Sequence, residues 1–315
     1  MDCPACGEST PVDANWCEAC GADLAAPDRA GCVACGLHNV SDDGYCMSCG
    51  HKQPAERDRV ELADGLAVAI SDRGLRHHHN EDAVAIGSLT GGGMVLVVCD
   101  GVSTTPGSDV ASLAAAEAAR DLLVSQLGSD DGPTATGAAS EGILVAATEV
   151  AQAGAAAAAT LPCRGRGDAA PSSTFVAVVA RPFEVTLQLS VVWMGDSRAY
   201  WVGHQASQLT QDHEQDGSLT RWLGADAAGF APGVAHFVIE EPGMVLVCSD
   251  GLWRYADPAS ELHALIAGLS AKHDSVPELA SALVAHAIDG GGHDNISVAL
   301  WPSAVGPGQQ QKADQ

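Results

Sequence analysis

Val245-Leu246-Val247-Cys248-Ser249-Asp250-Gly251 is a run of β-forming residues that ends in an aspartate and a glycine. A near-copy lies upstream, Val95-Leu96-Val97-Val98-Cys99-Asp100-Gly101. In each, an apolar strand delivers one carboxylate at its end, and the glycine lets the backbone turn and approach a ligand closely. Two further acidic points flank the pair, Asn80-Glu81-Asp82 and His293-Asp294-Asn295. A single Asp-Gly reads as a turn. Carboxylates from four distant places, gathered at strand ends, are what hard divalent cations need for an oxygen-ligand site.

The chain has 315 residues, 46% of them hydrophobic, enough for one large domain or two unequal ones with a sizeable core. Net charge is -25, with lysine only at 52, 272 and 312. Such an acidic surface repels phosphates, so nucleic acid is not an expected partner. No apolar run of transmembrane length and no basic-then-apolar N-terminus stand out, so neither membrane nor secretion is expected and the protein reads as cytoplasmic.

Eight of the eleven cysteines fall before residue 50, in an internal repeat. Cys3-x-x-Cys6 and Cys17-x-x-Cys20 recur at an offset of 29 as Cys32-x-x-Cys35 and Cys46-x-x-Cys49, each pair followed by glycine. Two such turns present four thiolates to one tetrahedral ion. The pattern resembles a double zinc ribbon over residues 1–52, with two structural Zn²⁺. Disulfides would need an oxidising compartment, and a rubredoxin-like iron site is the other alternative. Closed four-cysteine sites leave no open position for catalysis, so the ribbon is expected to dock a protein.

Residues 53–64 read as a polar linker, 65–302 as the main domain and 303–315 as a flexible tail. The main domain reads as strands, two helices (108–127, capped by Ser108, and 140–159), strands, two helices (257–270 and 275–289) and a last strand. The segment between Asp212 and 228 has no clear pattern. This order is not the alternation of a parallel sheet and suggests an α+β layered domain.

Several segments, in this order, resemble the type 2C metal-dependent protein serine/threonine phosphatase family of bacterial type. They are Ser71-Asp72-Arg73-Gly74, Asn80-Glu81-Asp82, Val98-Cys99-Asp100-Gly101, Ser173-Thr174-Phe175, Gly195-Asp196-Ser197-Arg198, Leu209-Thr210-Gln211-Asp212-His213, Cys248-Ser249-Asp250-Gly251-Leu252-Trp253 and Asp294-Asn295-Ile296-Ser297. The resemblance implies an α-β-β-α four-layer sandwich that hydrolyses phosphoserine and phosphothreonine at two Mn²⁺ or Mg²⁺ ions. Carried over, Asp100 bridges the ions and the Gly101 carbonyl binds one. Asp250 and Asp294 hold one ion, and Glu81 serves the other, with Asp82 beside it. Asn295 is expected to fix the Asp294 turn. Asp196 matches the ligand of an optional third ion, or else makes a tight turn with an internal ion pair; both readings stand. The expected partners are phosphoproteins of a Ser/Thr kinase.

Three departures matter. The arginine that binds substrate phosphate in bacterial members is replaced by His77, with Arg76 adjacent, so one of these two is expected on the phosphate, unless the loop is merely solvated. Val102 follows Asp100-Gly101 where eukaryotic members carry a histidine proposed as general acid. The flap after Asp212 looks truncated. Two other readings compete. Cys248-x-x-Gly251-x-x-Arg254 fits the phosphate loop of cysteine-dependent phosphatases, but Asp250 would repel an anion there and no helix signal follows at once. A catalytically weak pseudophosphatase, acting as a phospho-dependent scaffold, would not explain the complete carboxylate set.

Overall fold

The computed structural model describes residues 2–3, 6–11, 17–21, 31–41, 44–128, 137–160, 169–227 and 229–303. The chain forms two compact units, Met1–Glu56 and Arg57–Gln315.

In the first unit the four knuckle turns are alike. Gly7, Gly21, Gly36 and Gly50 all have φ of +74° or +75°. Each N–H closes back on the first cysteine of its pair, as from Gly7 to the Cys3 carbonyl at 2.8 Å. Gln53 belongs here and not to a linker. Its side chain accepts from the Val33 N–H at 2.9 Å and donates to Cys32 Sγ at 3.3 Å.

The second unit contains strands β1 (Arg59–Asp64), β2 (Ala67–Asp72), β3 (Ala83–Ser88) and β4 (Met94–Cys99), then helices α1 (Ser108–Leu127) and α2 (Gly137–Ala157). Strands β5 (Ser172–Ser173), β6 (Phe175–Phe183), β7 (Thr186–Met194), β8 (Arg198–Val202) and β9 (Ala206–Gln208) follow. Next come β10 (Glu214–Gln215), β11 (Ser218–Leu219), β12 (Leu223–Gly224), β13 (Gly233–Ile239) and β14 (Gly243–Cys248). The chain closes with α3 (Asp250–Trp253), α4 (Ala259–Ser270), α5 (Val276–Asp289) and β15 (Ile296–Ser303).

Two antiparallel sheets stack, one ordered β1-β2-β15-β14-β8-β9 and the other β13-β7-β6-β4-β3. Alternation along β14 and β4 builds the layers. Val245 and Val247 face Leu96 and Val98 in the core between the sheets. Leu246 and Cys248 face outward onto Leu262, Ile266 and Leu283 of α4 and α5. Val95, Val97 and Cys99 face Ala115, Leu123 and Leu144 of α1 and α2. The architecture is therefore the expected α-β-β-α sandwich. Both near-copy strands read as continuous apolar runs because each is covered on both faces.

Several local expectations need correction. Residues 59–64, expected within the linker, form edge strand β1, paired with β2 from Arg59↔Asp72 to Asp64↔Ala67. Its charges mask a period of two, in which Val60, Leu62 and Asp64 are half-buried and Arg59, Glu61 and Ala63 exposed. β15 runs to Ser303, and residues 304–315 of the expected tail lie outside the described ones. The unpatterned segment after Asp212 contains the β10–β11 hairpin, turned by Asp216 (φ 52°) and Gly217 (φ 77°). Two positive φ values at Asp-Gly are the signature of a tight hairpin turn. Finally, Glu141–Thr160 is long and apolar enough by composition to cross a membrane, contrary to expectation. In the fold, Leu144, Ala147, Ala151 and Ala155 of this stretch pack into the apolar cluster shared with α1 and the five-stranded sheet.

Candidate metal centre

The pairing registers bring the acidic points together. Ala83 lies opposite Cys99, so Glu81 and Asp82 precede β3 beside Asp100, which follows β4. Cys248 lies opposite both Val298 and Arg198, so Asp250, Asp294 and Asp196 meet at one end of the six-stranded sheet.

The two Asp-Gly glycines admit close backbone neighbours. A Cβ on Gly101 would stand 2.5 Å from the Glu81 carbonyl oxygen, and one on Gly251 would stand 1.9 Å from that of Asn295. Each glycine makes room for the neighbouring segment that carries the next carboxylate.

The carboxylates are crowded and poorly neutralised. Asp82 is 2% exposed, and its Oδ2 has no partner. Burial, and then the charges of Asp294 and Asp250, raises it to about 8 against the pull of the Ser297 and Ser249 hydroxyls. Asp100 is pushed well above the usual carboxylate range by burial and by Asp82, Asp250 and Asp294. Asp250 is raised by burial and Asp294, with Arg254 opposing; its Oδ1 also lacks a partner. Asp196 rises to about 7 through burial and then Asp250. Two buried carboxylate oxygens without donors, inside a cluster of like charges, fit a site for divalent cations.

Neighbouring polar groups orient this set. The Asp100 N–H donates to Thr174 Oγ1 at 3.0 Å, and the Thr174 N–H returns to the Asp100 carbonyl at 2.7 Å. Ser108 Oγ donates to Glu81 Oε1 at 2.6 Å. Ser108 was expected to cap α1; Gly107 holds the cap position and the hydroxyl serves Glu81 instead. The sequence carried no signal for that pairing, which links residues 27 apart.

His77 joins the cluster. Its Nε2 lies 3.2 Å from Asp294 Oδ1 and its Nδ1 3.7 Å from Glu81 Oε2. Arg76 is exposed. The internal ion pair offered for Gly195-Asp196-Ser197-Arg198 does not form. Arg198 pairs with Asp212 at 2.7 Å and Asp257 at 2.9 Å, and the cation facing Asp196 is Arg254 at 3.8 Å.

A helical turn, α3, does follow Cys248 directly, contrary to expectation. Cys248 is nonetheless fully buried, pointing into the α4–α5 layer, and burial drives its thiol far above the usual range. A buried thiol held in its protonated form is a poor nucleophile.

A protein-family profile described as protein phosphatase 2C matches residues 73–284. The chain belongs to the protein phosphatase 2C family. This phosphatase also matches a double zinc ribbon profile over residues 3–52. In that unit, the sulfurs of Cys3, Cys6, Cys17 and Cys20 lie within 4.8 Å of one another, as do those of Cys32, Cys35, Cys46 and Cys49. Separations such as Cys6–Cys17 and Cys35–Cys46, both 3.6 Å, approach the roughly 3.8 Å edge of a tetrahedron with Zn–S bonds of about 2.3 Å. The two sets fit two structural Zn²⁺.

Among solved structures, the phosphatase is similar to the S. agalactiae serine/threonine phosphatase, with 21% identity and a TM-score of 0.57 over 74% of this chain and 97% of that one. It is also similar to the Mycobacterium tuberculosis serine/threonine phosphatase PstP/Ppp, with 24% identity and a TM-score of 0.56 over 76% and 98%. A third is the catalytic domain of the serine threonine protein phosphatase PstP in complex with 2 manganese ions, with 26% identity and a TM-score of 0.53 over 74% and 96%. No curated protein sequence matches the chain.

Proposed function

We propose that the second unit hydrolyses phosphoserine and phosphothreonine in proteins at a centre of two Mn²⁺ or Mg²⁺ ions. The supporting observation is the pair of buried, partnerless oxygens, Asp82 Oδ2 and Asp250 Oδ1, within a cluster of acids. Asp100 would lie between the ions; Asp250 and Asp294 would hold one, and Glu81 with the Gly101 carbonyl the other. Ions bound there supply positive charge for the phosphoryl oxygens and a water acidic enough to ionise near neutral pH. Thr174 and Ser108 keep Asp100 and Glu81 aimed at that space. His77, beside Asp294 and Glu81, or the adjacent Arg76 would donate to substrate phosphate. Val102 offers no proton, so the leaving oxygen takes one from water.

A role opposite a Ser/Thr kinase in a bacterial cytoplasm is the matching context, consistent with the bacterial phosphatases it resembles. The zinc-ribbon unit, which exposes Val33, Leu37 and Met47, would dock a protein. The deciding experiment is phosphate release from a phosphothreonine peptide by the zinc-loaded full chain, with and without Mn²⁺, and by Asp250→Asn. Activity is expected only in the native chain with Mn²⁺. Equal activity without divalent cation, or in Asp250→Asn, would refute the two-ion centre. No turnover from a folded chain that binds Mn²⁺ would favour a phospho-dependent scaffold.

A further inference from the structure

The two carboxylate oxygens of Asp250 have different surroundings. Oδ1 is buried without a partner, whereas Oδ2 accepts from Arg254 Nε at 2.8 Å. The same guanidinium places Nη2 3.8 Å from Asp196 Oδ2, on the β7–β8 connection. Trp253 braces both ends of this bridge. Its indole N–H donates to the Asp196 carbonyl at 3.0 Å, and Arg254 Cζ lies 5.2 Å from its ring centroid. Arg198, tied to Asp212 and Asp257, packs over the same ring at 3.5 Å. Arg254 also borders a cleft of about 390 Å³ lined by Asp250, Gly251, Tyr255, His293 and Asp294.

An ion pair four residues apart on one helical turn contributes little by itself. Here the cation also faces Asp196, on the separate β7–β8 connection, and an aromatic plate. Moreover, Asp196 is the residue matched to the family's optional third ion, and the one guanidinium faces both it and Asp250.

We propose that the Arg254 guanidinium is a built-in cation occupying the position between Asp250 and Asp196, so that this centre takes two divalent ions and not three. The proposal rests on the two-ion reading above. A guanidinium cannot shed its proton to make way, and its fixed charge repels a dication a few ångströms off. The positive charge on this side of the centre is then independent of cation concentration.

The test is Mn²⁺ stoichiometry, from calorimetry and from the electron paramagnetic resonance of free Mn²⁺, on zinc-loaded full chains whose folding is checked by circular dichroism. Native chain, Arg254→Lys and Asp196→Asn are each expected to bind two Mn²⁺. Arg254→Ala is expected to gain a third, weaker Mn²⁺, which the added Asp196→Asn substitution removes. A native stoichiometry of three that falls to two in Asp196→Asn overturns the proposal, as does a folded Arg254→Ala that still binds two. Fewer than two Mn²⁺ on the folded native chain would overturn the two-ion reading itself.

Discussion

The Asn295 side-chain oxygen accepts the Glu81 backbone N–H at 2.7 Å, across 214 residues of sequence. Its Nδ2 donates to the carbonyls of Arg73, at 2.8 Å, and His79, at 3.1 Å. Asn295 therefore clamps the loop that carries Glu81 and His77 onto the start of β15, next to Asp294. That is a wider role than fixing the Asp294 turn. Asn295→Ala removes three hydrogen bonds from a residue 2% exposed. The expected cost is about 2–4 kcal/mol, read as a fall in Tm, with Mn²⁺ affinity reduced in the molecules still folded. An unchanged Tm would show that the loop is held by other contacts.

Ser108→Ala tests the aim of Glu81. The hydroxyl is fully buried, and its loss leaves Glu81 Oε1 without that donor. The Mn²⁺ concentration for half-maximal activity is expected to rise several-fold, matching a loss of about 1 kcal/mol, while KM for peptide at saturating Mn²⁺ changes little. A stability loss with unaltered Mn²⁺ dependence would reduce Ser108 to a packing residue.

The raised carboxylates predict a pH dependence with a definite sign. Asp82 at about 8 and Asp196 at about 7 compare with an ordinary value of about 4 in the unfolded chain. The folded state binds these protons more tightly, so their contribution to stability is full below pH about 4 and is lost as pH rises towards 8. Without Mn²⁺, the zinc-loaded protein should show a falling Tm between pH 5.5 and 8. Saturating Mn²⁺ should oppose that fall, and Mn²⁺ affinity should increase over the same range, because a bound dication favours the ionised form of the acids around it. A Tm that rises with pH in the absence of Mn²⁺ would contradict the charge crowding described here.

Cys248→Ser separates the two phosphatase chemistries. The residue is 0% exposed among Ile266, Leu283 and Val284. A hydroxyl there costs about 1–3 kcal/mol if unpaired, yet kcat at saturating Mn²⁺ should stay within a few-fold of native. Loss of turnover with an unchanged Tm would restore Cys248 as a candidate nucleophile.

How much of this was legible follows from the range of each interaction. The period of four cysteine pairs, the two apolar runs ending in Asp-Gly and the outlying Glu81 and Asp294 are local patterns. They sufficed for the ribbon, the layered α+β class and the set of carboxylates. The hairpin at Asp216-Gly217 and the period-two strand at 59–64 were equally local and were obscured by their polar residues. Other features could not be read at all. That Gly251 admits the Asn295 carbonyl, that Ser108 turns from a helix end to Glu81, and that Arg254 reaches Asp196 all depend on strand register and on which ends of two sheets meet. Residue type and spacing decide which groups are available and which segments bury apolar surface. Only the packing of β4 against β3 and of β14 against β15 decides which distant groups come within hydrogen-bonding distance, because those separations are set by the whole sandwich and not by any one stretch of chain.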